Sequence, residues 1–205
     1  MTTILLVRHG EVEGITPPRF RGRNDLALTP KGIRQAELTC DAIRAHWVIT
    51  AVYCSPLTRC VRTADIIAAP FKLETIPHHG LNDIDYGAWQ GRAMTEVAQR
   101  WPKELVTWQN APHTLRLPGG EMLQEVLARA ADALASILHA HRHGVAVIVA
   151  HECVIRLLHG HVMGLSTASY WLTSPSPCGI SEIVFREDRF TIQSINETRH
   201  LNDSE

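Results

Sequence analysis

The chain has 205 residues, 45% hydrophobic and 20% charged, with a formal net charge of −1. That length suits one domain with a real core, and the near-neutral balance excludes a nucleic-acid footprint or a membrane-surface patch, so any cationic site must be local. The apolar start, Ile4 to Val7, is too short for a signal peptide or a membrane span and runs at once into Arg8, which favours a cytoplasmic protein.

In chain order, Ile4–Val7 is a buried-strand candidate that ends at Arg8-His9-Gly10. Residues 28–46 predict a helix, with Thr29 as N-cap and Pro30 at the first helical position. "AVYCS" (51–55) predicts a second strand, 56–69 a helix opened by proline, and "LETIP" (73–77) a short strand. The stretch from Tyr86 to Gly120 is irregular, with Trp89, Trp101, Trp108 and several prolines. We expect this excursion, about 85–120, to cover a site, its tryptophans either lining that site or packing the core. A long helix over 120–143 precedes the strand "GVAVIVA" (144–150), a helix over 152–164 follows, and "ISEIVFR" with "RFTIQSIN" predicts a closing antiparallel hairpin. Strands alternating with helices imply an α/β fold, a mostly parallel mixed sheet between two helical layers, in one domain spanning 1–205.

The five cysteines form no CxxC pair and read as scattered buried thiols. The histidine-rich "HAHRH" (139–143) has no acidic or cysteine partner nearby and reads as a solvated helix end rather than a metal site. Three strands deliver a cation or an imidazole just past their carboxyl ends: Arg8 and His9, then Arg59 on the following helix, then His151. Each alone has a plain structural explanation, such as an N-cap or an exposed helix cation. Together, in parallel neighbours, they put two guanidinium groups and two imidazoles at one sheet edge, where ligands bind in open α/β folds. Clustered cations repel unless an anion comes between them, and guanidinium matches phosphate oxygens. Neutral imidazole is a nucleophile near pH 7, so the combination points to phosphoryl transfer through a phosphohistidine.

The segments "LLVRHGE", "FRGRNDLALTPKGIRQA", "YCSPLTRCVRTA", "LNDIDYGAWQGR", "LPGGE" and "VIVAHECVIR" resemble, in order, the motifs of the histidine phosphatase (phosphoglycerate-mutase-like) superfamily. The likeness runs from Ile4 to the "INETRHL" tail. It implies His9 as the nucleophile, Arg8, Arg59 and His151 around the phosphoryl oxygens, Gly22 in a loop approaching the ligand, and no metal or other cofactor. Asp83 stands where the family has a glutamate general acid, one methylene shorter; Asp85 is its rival. Val12 and Ile15 replace usual polar residues, Ile15 removing a polar phosphate contact. Arg21, Ile15, Glu152 and His200 are further candidate substrate contacts, although Glu152 equally suits a helix start and Cys153 packing. The resemblance implies a small phosphorylated substrate, neither nucleic acid nor membrane as partner, and a homodimer as an option. Three functions are open: a phosphomonoesterase of the short branch that includes α-ribazole, phosphoserine and broad-specificity phosphatases, a cofactor-dependent phosphoglycerate mutase, and a phospho-ligand binder with a weak active site. The first is favoured, because all the catalytic residue types are present and the segment between Asp83 and Gly119 is short.

Overall fold

The computed structural model describes residues 1–13 and 19–204. Ile15 therefore lies outside the described residues. Six strands form one sheet: β1 (Thr2–Arg8), β2 (Ala51–Cys54), β3 (Thr75–Pro77), β4 (Gly144–Ala150), β5 (Ile180–Arg186) and β6 (Arg189–Glu197). Their order across the sheet is β3-β2-β4-β1-β5-β6. β4 is parallel to both β1 and β2, β2 is parallel to β3, and β5 and β6 run antiparallel.

The unbroken apolar runs of β1 and β4 follow from burial on both faces. Ile4 and Leu6 pack with Ala146 and Ile148 into one apolar cluster, while Leu5 and Val7 pack with Val147 and Val149 into the other. The first cluster is closed by α5 (Leu123–Ala140) and α6 (Glu152–Val162), the second by α1 (Pro30–His46) and α2 (Thr58–Ala68). The result is the three-layer arrangement expected from the alternating pattern. The irregular segment holds two further helices, α3 (Met94–Arg100) and α4 (Pro102–Asn110). It sends Trp89 into the core and lays Trp108 against Phe20, Tyr86 and Tyr170.

Element ends follow local chemistry. Thr29 accepts from the Gly32 amide, capping α1 as its sequence predicts. α2 starts at Thr58, two residues later than expected, because the Asp25 carboxylate accepts from both the amide and the hydroxyl of Thr58. The long helix spans 123–140 rather than 120–143: Glu125 accepts from the Met122 amide at its start. At its other end His141 leaves the helix to meet the Tyr53 hydroxyl at 3.0 Å, so the histidine run is not wholly solvated. α6 ends at Val162, short of the expected 164. Glu187 and Asp188 both take positive φ and close the β5–β6 hairpin. All five cysteines are free and buried.

The tightest backbone approach lies beside the end of β1. A Cβ on Gly32, in the first turn of α1, would collide with the backbone of Glu11, and one on Gly10 would collide with the Gly32 carbonyl. Alanine in a helix ordinarily stabilises relative to glycine by up to about 1 kcal/mol. Here the clash is with main chain that cannot rotate away, and Gly32→Ala should instead destabilise by about 1–3 kcal/mol. Urea unfolding measures the sign directly; a stabilised variant would show that the two backbones separate freely.

Candidate active site

The sheet ladder continues past its strands and sets the site. Arg8 pairs with Ala150 and Cys54 with Val149, so β1, β2 and β4 end at one level. One residue on, the His9 amide donates to the Ala150 carbonyl and the Ser55 amide to the Val149 carbonyl, each at 3.0 Å. His9 and His151 then lie with ring centroids 5.3 Å apart, inclined at 61°. His151 occupies the N-cap position of α6, yet its side chain makes no capping bond and turns toward its neighbours.

Hydrogen-bond chemistry assigns the tautomers. His9 Nδ1 lies 2.7 Å from the Gly10 carbonyl, which only accepts, so Nδ1 carries the proton and Nε2 keeps its lone pair. Arg59 Nε, which only donates, lies 3.3 Å from His151 Nδ1. His151 therefore carries its proton on Nε2 and donates to Ser55 Oγ at 2.8 Å, and Ser55 donates onward to Asn82 Oδ1 at 3.3 Å. Burial, followed by the charges of Arg59 and Arg8, holds His9 well below the ordinary imidazole pKa. Burial and Arg59, with smaller effects of His9 and Arg8, do the same to His151.

Arg59 is completely buried on the first turn of α2. Its Nη2 donates to the Gly22 carbonyl at 2.7 Å and to Asp83 Oδ2 at 3.2 Å, and its Nη1 to the Asn24 carbonyl at 2.7 Å. Gly22 has φ of +48°, and a Cβ there would meet Tyr86 and Gln90 side chains and the Ile84 carbonyl, so the turn needs glycine. Arg8 Nη1 reaches the Pro175 carbonyl at 2.7 Å and Glu152 at 3.0 Å, while its Nε makes no hydrogen bond among the described residues.

Asp83 lies at the cleft with Oδ2 3.6 Å from His151 Nδ1 and Oδ1 accepting from the Ile84 amide. Burial raises its pKa, and that effect outweighs the opposing pull of Arg59. Its carbonyl is gripped by Arg129 Nη2 at 3.0 Å and Arg23 Nε at 3.3 Å. Asp85 braces the loop instead, accepting from the Gly87 amide and pairing with Arg23 at 3.5 Å.

Of the remaining sequence candidates, Arg21 and Glu152 line the cleft with Arg8, His9, Gly22 and Asp83. His200 is a correction. Its Nε2 contacts Thr39 Oγ1 at 2.9 Å and the Cys178 carbonyl at 3.1 Å, so the tail it sits on is tied to α1 and does not bring it to the cleft. Cys153 lines the cleft as well as packing in the core, and Cys60 sits against His151, its Sγ 3.5 Å from Nε2. Ser55, Thr63 and Arg129 were not singled out by the sequence. Thr63 accepts from the Gly10 amide at 3.1 Å. Ser55 directly follows the second strand, which was a usable signal, whereas Thr63 and Arg129 read as ordinary helix residues. Among the described residues, no group of three His, Cys, Asp or Glu is arranged to hold a metal ion, and no helix is long and apolar enough to cross a membrane.

Since the fold keeps His151 neutral while an unfolded chain protonates its histidines near pH 6.5, the unfolded state binds more protons on acidification. Stability contributed by the neutral imidazole is present above that pH and is lost as pH falls below it, by up to about 1.4 kcal/mol per pH unit. Between pH 7.5 and 5.5, His151→Gln should lose about 1 kcal/mol less than the parent in urea unfolding. Equal losses would show that the folded imidazole is already protonated.

Comparison with known proteins agrees along nearly the full chain. The family model described as histidine phosphatase superfamily (branch 1) matches residues 4–198. Phosphoserine phosphatase 1 of Hydrogenobacter thermophilus is 31% identical over 204 residues, covering 99% of this chain and 96% of that one. A probable phosphoglycerate mutase GpmB of Salmonella newport is 30% identical over 210 residues, covering 98% and 96%. The solved structure of Bacillus stearothermophilus YhfR superposes with a TM-score of 0.94 at 26% identity, covering 98% of this chain and all of that one.

Proposed function

This chain belongs to the histidine phosphatase superfamily, branch 1, and from that membership we propose that it hydrolyses a small phosphomonoester through a phosphohistidine formed on His9. The observation that carries this reading is the locked tautomer of His9: Nδ1 is spent on the Gly10 carbonyl, and a basic Nε2 stands among guanidinium groups at the end of β1. Metal ions have no part in the reaction we propose.

In the first half, the Nε2 lone pair attacks phosphorus as the bond from phosphorus to the ester oxygen breaks. Arg8 and Arg59, with the loop at Gly22, hold the equatorial oxygens and offset the charge that collects on them. An arriving phosphate monoanion draws Arg59 toward its oxygens and shares its own proton with His151 Nδ1, which donates it back to the phosphoryl group, so that this proton leaves with the inorganic phosphate. Asp83, whose pKa burial raises, gives the proton of its acid form to the departing oxygen, and an alcohol leaves. In the second half, Asp83 as carboxylate takes a proton from water as that water attacks phosphorus. The bond from phosphorus to Nε2 breaks, inorganic phosphate leaves, and both His9 and Asp83 return to their starting states.

A rapid-quench experiment with phosphorus-labelled substrate tests the covalent step. Acid-labile, base-stable label should appear on the peptide containing His9, be missing in His9→Asn, and be unaffected by excess EDTA. Label confined to a His151 peptide would overturn the assignment. With 3-phosphoglycerate and catalytic 2,3-bisphosphoglycerate, isomerisation should stay far below the best rate of phosphate release; the reverse order would make the protein a mutase.

The Asp83 assignment is tested by leaving group and pH. Asp83→Asn should slow phosphorylation of His9 by an alkyl phosphate about 10²–10⁴-fold. The effect with p-nitrophenyl phosphate, whose phenolate needs no proton, should be much smaller. Because the protonated form is the active acid, kcat/KM for the alkyl ester should fall as pH rises through the raised Asp83 pKa, and this alkaline limb should vanish in Asp83→Asn. Loss of the limb in Asp85→Asn alone would move the role to Asp85.

A further inference from the structure

The cleft has two unlike sides. Its floor is Arg8, His9, Arg21 and Asp83, and its wall is built from Phe20, Tyr86, Met94, Trp108, Tyr170 and Trp171, enclosing about 300 Å³. That volume is at the small end for ligand sites and admits a phosphoryl group with one or two rings beside it. Most of the wall is locked inside an aromatic cluster: Phe20 edge-to-face on Tyr86 at 5.1 Å, Tyr86 edge-to-face on Trp108 at 5.7 Å, and Trp108 tilted against Tyr170 at 5.6 Å. Trp171 differs, because it is 44% exposed at the lip of the cleft. It is nevertheless fixed, edge-to-face on Tyr170 at 4.6 Å, with the Arg156 guanidinium 5.0 Å from its ring. An exposed indole held rigid at a cleft mouth is a stacking platform that forfeits little entropy when a ring is laid on it.

The polar groups beside this platform are committed. Arg156 is buried, and it donates to Glu152 at 2.7 Å, to the carbonyls of Tyr170 and Thr173, and to Ser174 Oγ. It does not receive an anion from solvent. Glu152 bridges Arg156 and Arg8 and remains half-exposed at the cleft. Burial alone would push its carboxyl upward, but Arg8 and Arg156 more than offset this and keep it ionised. A carboxylate borne by the alcohol half of a substrate would meet this negative charge directly.

Resting on the phosphatase reading, we propose that the alcohol half of the substrate carries a planar aromatic or heteroaromatic group that stacks on Trp171, and that Glu152 disfavours alcohols bearing a carboxylate. Phosphate chemistry on the floor and ring recognition on the wall are then separate functions of one cleft.

Matched substrates isolate the effect from leaving-group reactivity. Adenosine 5′-monophosphate and ribose 5-phosphate release the same kind of primary alkoxide and differ in the base. The nucleotide should be favoured in kcat/KM by roughly 5- to 100-fold. Trp171→Ala should bring that ratio close to one, Trp171→Phe should keep part of it, and Leu172→Ala, on the exposed neighbour outside the cleft, should keep all of it. Glu152→Gln should raise 3-phosphoglycerate relative to glycerol 1-phosphate by roughly 5-fold. If the parent hydrolyses both members of the first pair at equal efficiency, or if Trp171→Ala keeps the ratio, ring recognition is refuted while the phosphatase reading stands. A parent preference for the carboxylated ester that disappears in Arg19→Gln refutes the role of Glu152, because Arg19 is a cation of the same cleft. Absence of both phosphate release and labelled His9 with every ester overturns the phosphatase reading, and this inference with it.

Discussion

Everything chemical in this protein depends on Arg59, a guanidinium with no exposure to solvent. A buried cation is costly unless every donor finds an acceptor. Here the acceptors come from three segments: the Gly22 and Asn24 carbonyls after β1, Asp83 after β3, and His151 after β4. Removing the charge would leave those acceptors buried without a donor, so the residue to which we assign phosphate neutralisation also holds its surroundings together. Burial first and this charge second lower the pKa of both imidazoles. The free lone pair on His9 Nε2 beside so much positive charge follows from this, because burial among arginines disfavours a second proton on the ring.

The fold and the floor of the cleft were legible in the sequence because both follow from short-range rules. Apolar runs such as "GVAVIVA" announce doubly covered strands, and side chains just past their ends must share an edge if the strands are parallel. Arg8, His9, Arg59 and His151 are therefore placed by backbone hydrogen bonding, which a sequence encodes locally. Asp83 was reached through the family likeness, since nothing in "LNDIDYGAW" alone separates it from Asp85. The structure separates them physically: one carboxylate is buried against Arg59, the other is spent on the Gly87 amide and Arg23.

What was not legible is long-range side-chain traffic. Arg129 lies on an amphipathic helix, where a cation ordinarily faces water, yet it reaches the carbonyls of Gly80, Asn82 and Asp83. Its role depends on where α5 packs relative to the loop after β3, which no spacing rule predicts. His200 shows the opposite failure. The family likeness made it a candidate substrate contact, and its partners in the fold are Thr39 and the Cys178 carbonyl. The three tryptophans of the irregular segment divided: Trp89 is core, Trp101 packs against it, and Trp108 serves core and cleft at once.

The two sides of the cleft are anchored by different kinds of structure, and this bears on how chemistry and specificity are distributed. The part of the floor that carries Arg8 and His9 hangs on the β1–β4–β2 ladder, where a one-residue slip would reverse every side chain between the two apolar clusters. It cannot drift without unfolding the core. The wall comes from α4, from the turn at Tyr86 and from the segment carrying Tyr170 and Trp171, joined by ring edges and by Arg156 rather than by a ladder. Ring contacts of this kind contribute about 0.5–1.5 kcal/mol each beyond the area they bury, and they tolerate exchange of one ring for another far better than a strand tolerates a register shift. Glu152 is where the halves touch, because it holds Arg8 of the floor and Arg156 beneath the wall. A change at Glu152 therefore acts on phosphate binding and on the lip together, whereas a change at Trp171 is confined to the wall. That asymmetry makes the aromatic wall the part of this cleft able to vary while the phosphoryl chemistry stays fixed.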